Sequence, residues 1–280
     1  MADAQTKTIV VTGASSGIGK ATARLFRDKG WNVAATMRNP SAERDLVESA
    51  ALKLIALDVQ DPEAPRAAVA AALEAFGRID VWVNNAGYGA FGPVEAGSRA
   101  QIERQFDVNV FGLIACVQAV APHFRANRAG VLVNVSSVGG LMTLPSFAVY
   151  NASKFAVEGL SEGLWYELGA FGIKVKVVEP GAIATDFGGR SLDAWDTSAF
   201  PDYAAFMENV KRTRDKLRQE RQPARARRRG RLSGGDRPER PHALSRRRRR
   251  AARRPAAPAA RVAAANAPGQ AGLQDLSEAA

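Results

Sequence analysis

Short runs rich in Val and Ile recur through the first 180 residues, each followed by a stretch with helical periodicity. That alternation is the strongest constraint on the fold. A run of four to six such residues has the length of a strand buried on both faces, and strands separated by helices pair in parallel through right-handed crossovers. Strands are read at Lys7 to Thr12, Asn32 to Met37, Leu52 to Leu57, Ile79 to Val83, Val131 to Val135 and Ile173 to Val178. Helices are read at Lys20 to Lys29 with Gly30 as its C-cap, Glu43 to Ala50, Pro62 to Phe76, Ala100 to Asn127 and Tyr150 to Ala170. The expected class is α/β with a doubly wound parallel sheet covered on both faces. Pro180 and Gly181 stop the last strand, and the polar segment from Ala182 to Phe200 reads as a lid over a cleft.

Composition matters chiefly through its distribution. A net charge of +11 suggests a nucleic-acid partner until it is divided along the chain. Residues 1–210 carry 18 basic and 22 acidic side chains, whereas residues 211–280 carry 21 and 6. The basicity belongs to the tail. The 46% apolar share allows a substantial core, and the single cysteine, Cys116, excludes an internal disulfide framework. The first residues lack the pattern of a signal peptide, and no apolar run is read as reaching membrane-spanning length. A cytoplasmic protein with no membrane span is expected.

The chemistry concentrates in Asn134 to Lys154. Tyr150 and Lys154 are four apart, so a helix puts them on one face, where an ammonium favours the ionised form of a phenol. Ser137 ends an apolar run thirteen residues before the tyrosine. Upstream, Gly13, Gly17 and Gly19 mark a turn from strand to helix. Their missing side chains let backbone N–H groups and the helix N-terminus approach a pyrophosphate; an ordinary tight turn is the alternative. At the end of the second strand stand Thr36, Met37 and Arg38, with no acid to bind ribose hydroxyls. A guanidinium there suits a 2′-phosphate, with Ser15 assisting, so NADP is favoured over NAD. Arg38 as a solvated loop residue is the alternative.

Together TGASSGIG (Thr12 to Gly19), Asp58-Val59, NNAG (Asn84 to Gly87), Asn109 in DVNVFG, Ser137 in NVSS, Tyr150-x-x-x-Lys154 and Pro180-Gly181 with Thr185 resemble the short-chain dehydrogenase/reductase family, from Lys7 to about Gln219. The resemblance implies a Rossmann-type catalytic domain over residues 1–220 and a carbonyl or alcohol substrate. It implies Tyr150 as general acid or base, its pKa lowered by Lys154 and the cofactor. It further implies Ser137 on the substrate oxygen, Lys154 on the nicotinamide ribose and Asn109 supporting a proton relay. Gly13, Ser15, Gly17, Ile18, Gly19, Arg38, Asp58, Val59, Asn85, Ala86, Gly87, Pro180, Gly181 and Thr185 would line the cofactor, and no metal is called for. Dimers or tetramers through the long helices are common in the family. The segments GGLMTLPSFAV and FGGRSLDAW suggest a lipophilic substrate. Two other readings are a nucleotide-sensing protein without catalysis and a nucleic-acid-binding protein acting through its tail.

Residues 221–280 are rich in Arg, Pro and Ala and show no period, so disorder is expected. The family pattern calls for one more strand and a closing helix, which the tail is not read as supplying. A one-base shift of the reading frame, with suitable codons, turns Leu244 to Arg250 into YPVGAD and Ala256 to Ser277 into a strand and amphipathic helix. The preferred account is a frameshift, with an exposed sheet edge as its consequence. No aromatic residues are interleaved for base stacking, which disfavours specific nucleic-acid recognition.

Overall fold

The structure is a computed structural model and describes residues 6–181, 191–220 and 260–262. Its central sheet contains β1 (Thr8–Val11), β2 (Asn32–Met37), β3 (Leu52–Ala56), β4 (Val81–Asn84), β6 (Val131–Val135), β7 (Lys174–Val178) and β9 (Ala260–Val262). β5 (Gly89–Phe91) and β8 (Leu192–Ala194) pair separately. The order across the large sheet is β3-β2-β1-β4-β6-β7-β9, and every neighbouring pair is parallel. The expected α/β Rossmann-type sheet is therefore present. Its direction of winding reverses between β1 and β4, where such sheets open a crevice at their carboxyl ends.

The period of two along each strand divides the core between the faces. Val10, Trp82, Leu132 and Val175 face α2 (Ala64–Phe76), α4 (Gly112–Asn127) and α5 (Ala148–Gly169). Ile9, Val11, Val33, Val81, Val83 and Val133 pack on the other face with Ala23 and Phe26 of α1 (Gly17–Asp28). Each fully buried side chain of this size contributes about 1.5–3 kcal/mol.

Several expectations change. No helix forms at residues 43–50; a 3-10 turn at Pro40–Ala42 leads into irregular chain. One oxygen of Glu43 accepts the backbone N–H groups of Arg44, Asp45 and Leu46 while Lys20 of α1 holds the same oxygen at 2.9 Å. The backbone folds around that carboxylate instead of building a helical ladder. Helix α6 (Ala204–Glu220) follows the expected lid and was not read from the sequence. Of that lid, β8 pairs in parallel with β5, and residues 182–190, with Thr185, lie outside the described residues.

The helix expected at Ala100 to Asn127 comprises α3 (Arg99–Phe106), a π-helical turn at Asp107–Phe111 and α4. Ser98 starts it with a capping box to Gln101. By length and composition Arg99–Asn127 could cross a bilayer, which corrects the reading that no such run exists. Its buried residues, among them Leu113, Cys116, Val120 and Phe124, pack in the core. The tail also supplies a short strand where none was expected. Lys176, Val177 and Val178 pair with Ala260, Arg261 and Val262, because an unpaired parallel edge accepts any extended segment with free backbone groups. The remainder of residues 221–280, including the proposed frameshift, falls outside the described residues.

Candidate active site

Four chain segments leave the carboxyl ends of β1, β4, β6 and β7 side by side. They are tied to one another by backbone and side-chain bonds. The Thr12 hydroxyl accepts N–H groups from Asn85 and Ala86 at 2.9 and 3.0 Å, and Asn85 Nδ2 donates to the Thr12 carbonyl at 2.8 Å. Ser136 N–H donates to Val178 O at 2.8 Å and Val138 N–H to Pro180 O at 3.1 Å. The glycine turn, Asn85-Ala86-Gly87, Ser137 and Pro180-Gly181 thus meet at one end of the sheet.

The residues of the glycine turn suit a dinucleotide. Gly13 has φ +66°, and a Cβ there would stand 2.9 Å from Ala86 Cα; at Gly19 it would stand 2.4 Å from Gly13 O. Ser15 and Gly17 are exposed, with Ile18 half-buried behind them. Helix α1 begins with no side-chain cap bond and no acid in its first turn. Its first N–H groups and positive dipole end remain available to an anion. Arg38 is exposed just after β2. Asp58 is half-buried after β3 and accepts the Gln60 N–H at 3.1 Å, which makes it a turn residue and not the cap of α2. Val59 lies against Gly112, where a Cβ would meet its side chain at 2.7 Å.

Ser137 leaves β6 in extended conformation, and its hydroxyl accepts the Gly139 N–H at 3.0 Å. Tyr150 and Lys154 lie on one face of α5, as their spacing predicts. The Tyr150 phenol is hydrogen-bonded to Ser137. Lys154 Nζ lies 5.9 Å from the Tyr150 ring centre and donates to Val135 O at 2.9 Å. Gly139 makes the close approach possible, since a Cβ there would come within 3.3 Å of the Tyr150 ring.

Asn109 sits in the π-helical turn, a feature often found at functional sites. Its amide makes three hydrogen bonds: Oδ1 accepts the Tyr88 N–H at 3.1 Å, and Nδ2 donates to Tyr88 O at 3.0 Å and to Ser153 Oγ at 3.1 Å. Ser153 Oγ–H then donates to Tyr150 O at 2.7 Å. Asn109 therefore braces the helix that carries Tyr150. Ser153 and Gly139 were missed in the sequence, although Ser153 stands three residues after Tyr150 and so on its helical face.

Burial governs the electrostatics. It raises the Tyr150 phenol above its ordinary value, against the pull of the Ser137 hydrogen bond. It also pushes the Lys154 ammonium down to about 8, opposed by the charge of Glu158 one turn further along α5. Lys154 Nζ is directed at the Val135 carbonyl, so burial and the Ser137 hydrogen bond are the two influences on the phenol. Cys116 is pushed up to about 12 by burial and is an unreactive packing residue. Among the described residues no cluster of His, Cys, Asp or Glu is placed to hold a metal ion.

Known proteins resemble this chain in sequence and in fold. The family described as short chain dehydrogenase matches residues 7–195. The chain belongs to the short-chain dehydrogenase family. It is an oxidoreductase of that family, which acts on CH–OH and carbonyl groups with a nicotinamide dinucleotide. It is 38% identical over 208 residues to 3-ketodihydrosphingosine reductase of Bacteroides thetaiotaomicron, covering 74% of this chain and 76% of that one. To 17-beta-hydroxysteroid dehydrogenase type 1 of Mus musculus it is 43% identical over 190 residues, which cover 64% of this chain and 55% of that longer one. Among solved structures, 3-ketoacyl-(acyl-carrier-protein) reductase from Brucella melitensis, complexed with NADH, aligns with a TM-score of 0.62 at 34% identity. That alignment covers 65% of this short-chain dehydrogenase and 78% of the Brucella chain.

Proposed function

We propose that the protein interconverts a lipophilic ketone and its secondary alcohol with NADP(H). The observation that carries this reading is the buried Ser137–Tyr150 hydroxyl pair, with Lys154 one turn behind it, beside the glycine turn. In reduction Tyr150 donates its proton to the carbonyl oxygen, and in oxidation it accepts one. Ser137 hydrogen-bonds the same oxygen where negative charge develops. The bound nicotinamide supplies or takes up the hydride. Lys154 binds the adjoining ribose, and Asn109 supports proton transfer by position, through Ser153 and Tyr88. Asp58, Val59, Asn85, Ala86, Gly87, Pro180 and Gly181 line the cofactor.

Arg38 supports NADP. Among the described residues it makes no ion pair, and the first carboxylates after it, Glu43 and Asp45, are held by Lys20 at 2.9 and 2.8 Å. Leu141 and Met142, exposed just beyond Ser137, offer an apolar surface to the substrate. The names of the two curated relatives, a 3-ketodihydrosphingosine reductase and a 17-beta-hydroxysteroid dehydrogenase, agree with a lipophilic ketone. Exposed Phe111, Phe155 and Tyr166 on the long helices support assembly with a second copy.

A panel of ketones and secondary alcohols with NADPH and NADH in parallel tests the reading. The expected kcat/KM favours NADPH by about tenfold or more, and Arg38→Asp reverses the preference. Equal use of both cofactors by the wild type would sink the NADP assignment, and absence of any turnover would sink the reaction itself.

A further inference from the structure

Helix α6 turns Met207, Val210 and Arg214 inward, at spacings of three and four that keep them on one face. Val210 is buried, and Met207 Sδ accepts a hydrogen bond from Ser146 Oγ at 3.3 Å, which seats the helix beside the segment leading into α5. The half-buried Arg214 guanidinium then lies 4.6 Å from the centre of the Phe91 ring and 5.6 Å from that of Phe147. These two rings are 5.0 Å apart, and the Phe147 ring is 5.7 Å from the Tyr150 ring. A row of aromatic rings therefore leads from the proposed acid to a cation.

Among the described residues Arg214 takes part in no hydrogen bond and no ion pair. Arg104 provides the contrast: its guanidinium also stacks on a ring, that of Tyr88 at 5.0 Å, but it is bound to Asp193 at 3.0 Å and to the Tyr88 hydroxyl at 3.2 Å. Arg104 is thus occupied in joining α3 to β8. At Arg214 the guanidinium carbon lies over two rings, and among the described residues its N–H groups, which fit an oxyacid in bidentate fashion, have no partner.

We propose that Arg214 is the anion-recognising residue of the substrate cleft. The substrate is then a ketone or secondary alcohol whose apolar body lies along Phe147 and Phe91 and ends in an oxyacid group such as a carboxylate. This deepens the function proposed above and rests on it for the identity of the reacting group, but the anion site itself does not depend on turnover.

The test uses the full chain as wild type, Arg214→Met and Arg214→Lys. Decanoate and decanol are titrated against each, followed by intrinsic tryptophan fluorescence, and 9-oxodecanoate and its methyl ester are compared as substrates with NADPH. In the wild type the acid is expected to bind and react better than its neutral counterpart by about tenfold or more. That ratio should fall to near one in Arg214→Met, which keeps the apolar stem over the rings, and be partly retained in Arg214→Lys. Equal binding of decanoate and decanol by the wild type, or an acid preference that survives Arg214→Met, would overturn the inference. So would a uniform loss of both ligands with a lowered melting temperature, since Arg214 would then only pin α6. Selective decanoate binding lost in Arg214→Met, without reduction of either ketone, would support the anion site and sink the proposed reaction.

Discussion

At the scale of single residues, the site combines two hydroxyls that share a hydrogen bond with an amine that points elsewhere. Tyr150 packs its ring on Phe147 and against Gly139, so the phenolic oxygen can be removed with little change in packing. Tyr150→Phe is therefore expected to lower kcat by about 10²–10⁴-fold while leaving the melting temperature close to that of the wild type. Steady-state rates and a thermal melt on the same preparation check this; a variant with wild-type turnover would remove Tyr150 from the reaction. The spacing of Tyr150 and Lys154 was legible because an α-helix converts four residues into one turn. The direction of the Lys154 amine was not, since its acceptor, Val135 O, belongs to a strand nineteen residues earlier.

At the scale of elements, α5 is held to the sheet by a buried polar chain. Trp82 Nε1 donates to Asn84 Oδ1 at 2.8 Å, Asn84 Nδ2 to Asn134 Oδ1 at 2.9 Å, and Asn134 Nδ2 to Ser161 Oγ at 2.9 Å. The strand period makes this possible: Trp82 and Asn84 share a face, and Asn84 pairs with Asn134 in register. Removing the Ser161 hydroxyl leaves a buried amide without its acceptor. Ser161→Ala is expected to cost about 1–3 kcal/mol in urea unfolding, and in a double-mutant cycle with Asn134→Ala the two losses should not add. Additive losses would mean that the chain does not act as a unit. Strands and their order of alternation were legible in this layer because apolar runs carry their own period. The irregular 43–50 segment was not, because an ion pair with Lys20 of α1 decides it. The spacing of Met207, Val210 and Arg214 was a weak signal for α6, obscured by the many charges around it.

At the scale of the whole molecule, buried ionisable groups make stability depend on pH in opposite directions. Lys154 loses its proton at about 8 in the folded protein but near 10.5 when unfolded. Between those values the unfolded chain binds more protons, so stability rises with pH. Cys116 acts in reverse: the unfolded thiol ionises near 9.0 while the buried one holds its proton to about 12, so stability falls above pH 9. Tyr150, raised above 10 by burial, steepens that fall. Urea unfolding from pH 7.5 to 10.5 is expected to show stability climbing between pH 8 and 9 and falling above pH 10. Lys154→Met should flatten the rise and Cys116→Ala soften the fall. A wild-type stability that declines steadily from pH 8 would contradict the burial of Lys154 as an ammonium.

The sequence by itself determined the alternation of strands and helices, the glycine turn at a strand-to-helix junction and the shared face of Tyr150 and Lys154. All three are set by neighbours within a few turns of chain, where the periods of 2 and 3.6 act directly. Only the tertiary structure decided that the Ser137 and Tyr150 hydroxyls bond each other directly, that Asn109 bonds Ser153, that the Lys154 amine turns to Val135 O, and that Arg214 arrives beside Phe91 and Phe147. Those contacts join segments from 13 to more than 120 residues apart. They depend on the order in which strands pair and on how deeply each group is buried, and local periodicity carries neither.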